Sequence, residues 1–324
     1  MIKNQWYAIL ESKEVKKKPV GVTRLNEKLV LWRGADGKLN CIYDLCCHRG
    51  ASLAIGCIKD NQIECPFHGF LYDGSGQVTL IPANGKADKV PSRYKVHSYI
   101  VKEKAGLIWL WYSDSNDGDI PEIPFFEELL EGFIYKTFAE VWPVHYTRAA
   151  ENQMDVVHLP FVHTSTIGKG NKTIINGPVV KWQDNRMTFY VDNVFDDGQT
   201  KALKADQIEN YESLFKLDFQ MPNTWQNYID EKVRVFAVFA PIDEENTKIY
   251  LRFYQKFLPV PIIGGMITSI SNIFNRVILH QDRRVVLTQV PKKTELAMGE
   301  NLIPGDLPII EFRKRRKLLK ETAN

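Results

Sequence analysis

Between residues 28 and 112 apolar and polar positions alternate in short runs, and each run stops at turn chemistry. Leu29-Val30-Leu31-Trp32 is parted from the run Leu39 to Tyr43 by Ala35-Asp36-Gly37. Phe70-Leu71-Tyr72 is parted from Gln77-Val78-Thr79 by Asp73-Gly74-Ser75-Gly76, and Lys104-Ala105-Gly106 splits two apolar runs that end at Trp109-Leu110-Trp111-Tyr112. Short strands closed by such turns predict three successive hairpins and an all-β domain. From Ser113 to Pro121 polar and turn residues break every period, which predicts a connector, with the domain boundary near residue 118.

Past the connector, a strand-like stretch from Phe133 to Tyr146 leads into a helical stretch that begins near Thr147 and carries Asn152, Asp155 and His158. Strands are predicted at about 173–183, 186–194, 213–221, 233–241 and 248–257. Ile262, Ile263, Met266, Ile267, Ile270, Ile273 and Phe274 then recur at helical spacing, continuing toward Asp282 and Val290. The expected fold class is α+β: an all-β domain over 1–117, then a domain over 118–324 with an antiparallel sheet flanked by helices. A chain of 324 residues is long enough for two cores.

Composition narrows the function classes. Hydrophobic residues at 44 % and charged residues at 25 % are ordinary for a folded domain, and a dispersed net charge of +3 leaves no footprint for nucleic acid. The N-terminal Met-Ile-Lys-Asn-Gln-Trp-Tyr has no apolar signal core, so a cytoplasmic protein with reduced thiols is expected. The uncharged stretch from Phe257 to Asn275 contains prolines and glycines, which predicts a protein-buried helix and no membrane span. All five cysteines fall between Cys41 and Cys65, a crowding that points to a metal site and away from a disulfide framework.

Cys46-Cys47-His48 and Cys65-Pro66-Phe67-His68 place a thiol and an imidazole on each of two loops. A tetrahedral zinc accepts two cysteines and two histidines, and so does a Rieske [2Fe–2S] cluster, with both cysteines on one iron and both histidines on the other. A zinc finger pairs Cys with Cys and His with His along the chain, whereas here each loop supplies one of each. Glycines follow directly, in His48-Arg49-Gly50 and His68-Gly69, where the chain must turn tightly. Together with Tyr72-Asp73-x-x-Gly76, these loops resemble the Rieske family. The resemblance implies that Cys46, His48, Cys65 and His68 hold a [2Fe–2S] cluster.

Two positions depart from the family pattern: Cys47 stands where proline is common and Phe70 where tryptophan is common. Cys47 reads as a small buried side chain, with a redox-sensitive thiol or alternate ligand as the other reading, and Cys41 and Cys57 read as core. Respiratory Rieske proteins carry an extra cysteine in each loop, closing a disulfide over the cluster. Here Ala51 and Phe67 occupy those places, which implies the lower-potential ferredoxin and oxygenase type.

Downstream, Asp155, His158 and His163 form Asp-x2-His-x4-His. On a regular helix Asp155 and His158 are neighbours, whereas His158 and His163 point about 140° apart, so a kink or wider turn at Pro160 is needed to bring both to one centre. Two histidines and one carboxylate suit a non-haem Fe(II) that activates O2, and Asp155 is the local candidate for the carboxylate. With a Rieske motif upstream, the chain resembles the Rieske non-haem iron oxygenases, in particular the α-only, homotrimeric vanillate O-demethylase and pheophorbide a oxygenase-like group.

That resemblance implies a helix-grip, START-like catalytic domain in which the third iron ligand is a late aspartate, Asp282 in His280-Gln281-Asp282-Arg283-Arg284, with His280 the nearest confounder. Asp155 then becomes a bridge from His68 of one subunit to His158 of its neighbour in a head-to-tail trimer, and Asn152 a hydrogen-bonding residue near the iron. It further implies O2 and a small aromatic or cyclic organic substrate, hydroxylated or oxidatively demethylated. Electrons would come from NAD(P)H through a separate reductase or ferredoxin, since no Gly-x-Gly-x-x-Gly follows a predicted strand. Phe161, Phe219, Trp225 and Phe236 are candidate substrate walls, from strands around 213–241 and the helix near Pro261. The basic run from Arg313 to Lys317 reads as a solvated helix end, or else as a docking surface for an acidic donor. Two other classes compete: a Rieske electron-transfer protein with an appended ligand-binding domain, and a zinc-stabilised binding module.

Overall fold

Gly- and Asp-containing turns close the hairpins of the N-terminal residues, as at Asp73, whose carboxylate accepts the N–H groups of Ser75 at 2.9 Å and Gln77 at 3.2 Å. The computed structural model describes residues 1–114, 118–258 and 261–323, without the side chains of 261–268 and 270, and divides into two units, Lys3–Ile123 and Pro124–Asn324. Residues 115–117 of the expected connector, and the expected apolar positions Ile262, Ile263, Met266, Ile267 and Ile270, lie outside the described residues or side chains.

The first unit is built from β1 (Gln5–Glu11), β2 (Val20–Arg24), β3 (Glu27–Arg33), β4 (Leu39–Tyr43), β5 (Cys57–Lys59), β6 (Gln62–Glu64), β7 (Leu71–Tyr72), β8 (Val78–Leu80), β9 (Val101–Lys104) and β10 (Leu107–Tyr112). They form antiparallel sheets in the orders β1-β10-β9, β2-β3-β4 and β5-β6-β7-β8. β1 escapes a reading based on turns because its partner is β10, with Gln5 opposite Tyr112 at the far end of the unit. Trp32, Ile42, Leu53, Ile63 and Tyr72 pack into one core together with Cys46 and Cys65. Two thiols are thereby held inside while the loops that bear them reach the surface.

The second unit carries one antiparallel sheet of β11 (Ile134–Trp142), β12 (Ile174–Gln183), β13 (Arg186–Val194), β14 (Phe215–Gln220), β15 (Thr224–Asp230), β16 (Val233–Pro241) and β17 (Thr247–Gln255), in the order β11-β17-β16-β15-β14-β13-β12. Its helices are α1 (Tyr146–Met154), α2 (Leu159–Val162), α3 (Pro261–Val286) and α4 (Leu307–Thr322). β15 is absent from the sequence-based strands because Gln226, Tyr228 and Asp230 alternate with Trp225, Asn227 and Ile229, so polar residues sit on both faces and the two-residue hydrophobic period is lost. α3 packs against β11 and β17. Contrary to the expected buried helix, it leaves Ile273 66 % exposed and Val277 exposed. Among the described residues no helix is long and apolar enough to cross a membrane.

α4 corrects the reading of the basic run as solvated. Its helical spacing turns Arg313 and Arg316 inward, and both are buried. Arg313 pairs in bidentate fashion with buried Glu151 of α1, at 2.8 Å and 2.7 Å, and reaches Glu300 at 2.7 Å. Arg148 holds the other oxygen of Glu300 at 2.9 Å, and Arg316 pairs with Glu295 at 2.9 Å. Lys314 and Lys317 remain at the surface. This ionic clamp fixes α1, whose next turn carries the downstream motif. Replacing Arg313 by Ala leaves the Glu151 carboxylate buried without its partner, a defect that costs about 3–5 kcal/mol. Equilibrium denaturation of the variant should register that loss, and an unchanged midpoint would show the clamp to be idle.

Candidate metal centres

The two N-terminal loops close in the same way. Gly50 donates its N–H to the Cys46 carbonyl at 2.9 Å and Gly69 to the Cys65 carbonyl at 3.0 Å, and both glycines have positive φ, +74° and +70°. A side chain would strain either turn. Cys46 and Cys65 are buried whereas His48 and His68 are exposed, with their rings 4.6 Å apart. Buried thiolates and outward imidazoles fit a cluster with one iron inside and one toward solvent. A single zinc requires its four donors to meet at one point, about 3.3–3.8 Å from each other. Among the described residues, the only group of three or more such donors within 4.8 Å of one another lies elsewhere, at His158, His163 and Asp282.

Tyr72 lies beneath the first loop, its hydroxyl 3.1 Å from Cys46 Sγ and 3.2 Å from Cys47 Sγ, while accepting the Cys47 N–H at 3.0 Å. Burial, and after it the neighbouring thiols, pushes the Tyr72 phenol far up, so it stays a donor toward sulfur. Cys47 is exposed, which corrects its reading as a buried side chain: its position at the loop tip keeps it out of the core that takes Cys46. Cys57 is exposed as well, on β5 with its thiol 3.4 Å from Glu64, whereas Cys41 is buried.

In the second unit the chain solves the His158–His163 spacing by breaking the helix earlier than Pro160. α1 ends at Met154, and the Asp155 carboxylate accepts the N–H groups of Val157 at 2.8 Å and His158 at 3.2 Å, tying a turn. His158 then caps the start of the single-turn α2 and His163 its end, with Pro160 in the first turn where no N–H is needed. The following loop folds back tightly enough that a Cβ on Gly168 would stand 2.0 Å from the Leu159 carbonyl oxygen. Both imidazoles thereby face the same side, 5.2 Å apart by ring centroid.

Asp282, delivered by α3, completes a triangle. Its Oδ1 is 2.9 Å from His163 Nε2 and 3.3 Å from His158 Nε2, and the two nitrogens are 3.2 Å apart. Donors about 2.1 Å from a common ion lie about 3.0 Å apart in octahedral and about 3.4 Å in tetrahedral geometry, so the triangle has the size of a metal face. Asp282 Oδ1 is buried with no hydrogen-bond partner. Burial disfavours a charged His158, but the carboxylates of Asp155 and Asp282 outweigh it and raise the imidazole to about 9, so that without a metal a proton supplies the positive charge. Burial likewise works against the Asp282 carboxylate, and the two histidines overcome it and hold the group below the usual range. The 3.6 Å separation of Asp155 and His158 Nδ1 is an electrostatic contact longer than a hydrogen bond. His280 is not in the triangle: it turns to Glu140 at 2.8 Å.

The triangle opens on a cavity of about 590 Å³. Its wall has two periods. From the sheet come Val191 and Asn193, Phe215 and Leu217, then Trp225, Asn227 and Ile229, two apart on one face. From α3 come Ser271, Phe274, Asn275, Ile278, Leu279 and Asp282, spaced by helical turns. Asn152 also lines it. Of the four aromatic residues proposed as walls, Trp225 is there. Phe161 is 64 % exposed, and Phe236 packs on Phe125 and Phe126 from the opposite face of the sheet, whereas Phe219 shares the face of Leu217 and Trp225 but packs on Phe312 of α4.

Two family models match the chain: the Rieske [2Fe-2S] domain over residues 5–99, and the vanillate O-demethylase oxygenase C-terminal domain over 142–322. The chain belongs to the vanillate O-demethylase family of Rieske oxygenases. Methylxanthine N1-demethylase NdmA of Pseudomonas putida is 26 % identical to it over 99 % of this chain and 90 % of that protein. The vanillate O-demethylase oxygenase subunit of a Pseudomonas species is 31 % identical over 59 % of this chain and 54 % of that protein. Chloroplastic TIC 55 of Arabidopsis thaliana is 32 % identical over 50 % and 30 %. The solved structure of P. putida NdmA with caffeine superposes with a TM-score of 0.80 at 25 % identity, over 98 % of this chain and 91 % of that one. Dicamba monooxygenase bound to dicamba gives 0.78 at 19 %, over 99 % and 98 %, a likeness of fold alone.

In this Rieske oxygenase the sequence also conceals supporting residues. Gln281 accepts the His163 Nδ1–H at 2.8 Å and a hydroxyl hydrogen from Thr166 at 2.9 Å, and its amide reaches Ser165 at 3.2 Å. That bond fixes the tautomer with the Nε2 lone pair turned to the triangle. Adjacency to Asp282 is the only sequence signal Gln281 offers. Gln281→Leu should weaken iron retention by the triangle about 10- to 100-fold in a chelator titration while acid-labile sulfide stays unchanged. Equal retention would assign Gln281 no part in orienting His163.

Proposed function

We propose that this protein is the terminal oxygenase component of a multicomponent Rieske system, hydroxylating or oxidatively demethylating a small organic substrate with O2. The observation that carries the reading is a His158–His163–Asp282 triangle opening on a large, mainly apolar cavity, in a chain that also has the cluster loops. A pure electron carrier has no use for either. When bound, a [2Fe–2S] cluster at Cys46, His48, Cys65 and His68 supplies electrons singly, and a ferrous ion at the triangle supplies O2 activation. Three protein donors leave coordination positions free, which separates a reactive metal site from a structural one.

Asn152 lines the cavity beside the triangle and would orient a polar group there. Asp155, partly exposed next to His158, suits a bridge: its carboxylate would accept an N–H from His158 and one from His68 of a neighbouring copy in a head-to-tail homotrimer. Electrons would start from NAD(P)H and arrive through a separate reductase, with or without a ferredoxin, in the cytoplasm. The demethylases among the relatives support demethylation as the form of oxidation.

Anaerobically purified protein should hold about three irons and two acid-labile sulfides per chain. Two irons after reconstitution with ferrous ion would reject the oxygenase reading and leave an electron carrier. Asp155→Asn should retain the irons and sulfides yet lose coupled turnover at least about tenfold, and full turnover would remove the bridge.

A further inference from the structure

Apart from the triangle and Asp155, no ionisable side chain among the described residues lines the cavity. Among the described residues no Lys or Arg lines it. The sequence from Phe257 to Asn275 carries no ionisable side chain, so the first half of α3 cannot supply a cation either. Lys169 and Lys172 line a separate cavity of about 240 Å³ that shares part of its wall. Asp155 and Asp282 line the main cavity, and their two negative charges offset a divalent ion held there. An anionic substrate would thus be buried without a counter-charge.

Neutral hydrogen-bonding capacity, by contrast, is in surplus. Trp225, 4 % exposed, lines the cavity, and its buried indole N–H has no partner in the protein. Two residues along the same strand, and so on the same face, Asn227 has an unpartnered buried Oδ1, and from α3 Asn275 has an unpartnered buried Nδ2. Buried polar groups are rarely left unpaired, and those beside a cavity are completed by what occupies it. An indole only donates, so the occupant must present an acceptor, and a side-chain amide can match a donor or an acceptor.

We propose that the substrate is an uncharged, mainly apolar molecule with a carbonyl or amide edge, that Trp225, Asn227 and Asn275 set this specificity, and that free carboxylates and sulfonates are excluded. The proposal rests on the cavity being the oxygenase's substrate site.

Calorimetric titration of the holoprotein with ring-matched probes tests it: 4-methoxybenzamide against 4-methoxybenzoate, and 4-methylbenzamide against 4-methylbenzenesulfonate. The amides should bind at least about tenfold more tightly than their anionic partners, and Trp225→Phe and Asn227→Leu should each weaken amide binding about 3- to 10-fold. Iron and sulfide, measured on the same samples, should match the parent protein. Equal or tighter binding of the anions, no binding of either amide, or unaltered affinity in both variants with full metal content overturns the proposal. The oxygenase reading fails separately, by a triangle that does not take up iron.

Discussion

The second unit is organised around three lone pairs that repel one another unless a positive charge lies between them. His158 Nε2, His163 Nε2 and Asp282 Oδ1 stand within 3.3 Å of each other, and the Asp282 atom is buried with no hydrogen-bond donor. Such an arrangement persists only where the surrounding structure over-determines it. Here the Asp155 turn, the single-turn α2, the Gly168 fold-back and the Gln281 bond each remove a degree of freedom from one donor. Behind them, the ion pair of Glu151 and Arg313 anchors α1 against α4. The basic C-terminal helix thus contributes to the site without approaching it.

The two candidate centres are constructed differently. In the N-terminal unit each loop is nearly self-sufficient: its glycine turn closes on its own cysteine carbonyl, and the thiol drops into the sheet core beneath. Tyr72 joins the loops by reaching Cys46 and Cys47 from β7. The triangle, in contrast, draws one donor from a helix more than a hundred residues beyond the other two. Burying thiols while exposing imidazoles, and burying a carboxylate against two imidazoles, are separate ways of tuning a metal's surroundings.

The cavity follows from two periodicities meeting. A sheet face repeats every two residues and a helix face every three to four, so β13 to β17 and α3 can enclose a space that neither could form alone. Its wall is mainly apolar, and Trp225 and Asn227 supply neutral polar atoms where hydrophobic alternation fails. β15 carries Trp225 and Asn227, and the polar residues that erase its strand signal are the ones that give the wall its chemistry. Local inconsistency of this kind is expected at functional positions.

The sequence by itself determined the class of the first centre, because a thiol, an imidazole and a glycine at fixed short spacings constrain one loop whatever surrounds it; for the second its spacing offered His158 and His163 but left the carboxylate open between Asp155 and Asp282. It also determined an all-β first unit and a sheet with helices in the second, since turn residues and hydrophobic periods act locally. Which side chains share a space was decided only by the tertiary structure. Packing between distant elements turned His280 outward to Glu140, drew Arg313 and Arg316 inward, left Cys47 and Cys57 exposed, and brought Gln281 to His163. Those outcomes depend on burial and on partners far along the chain, and neither is carried by the spacing of neighbouring residues.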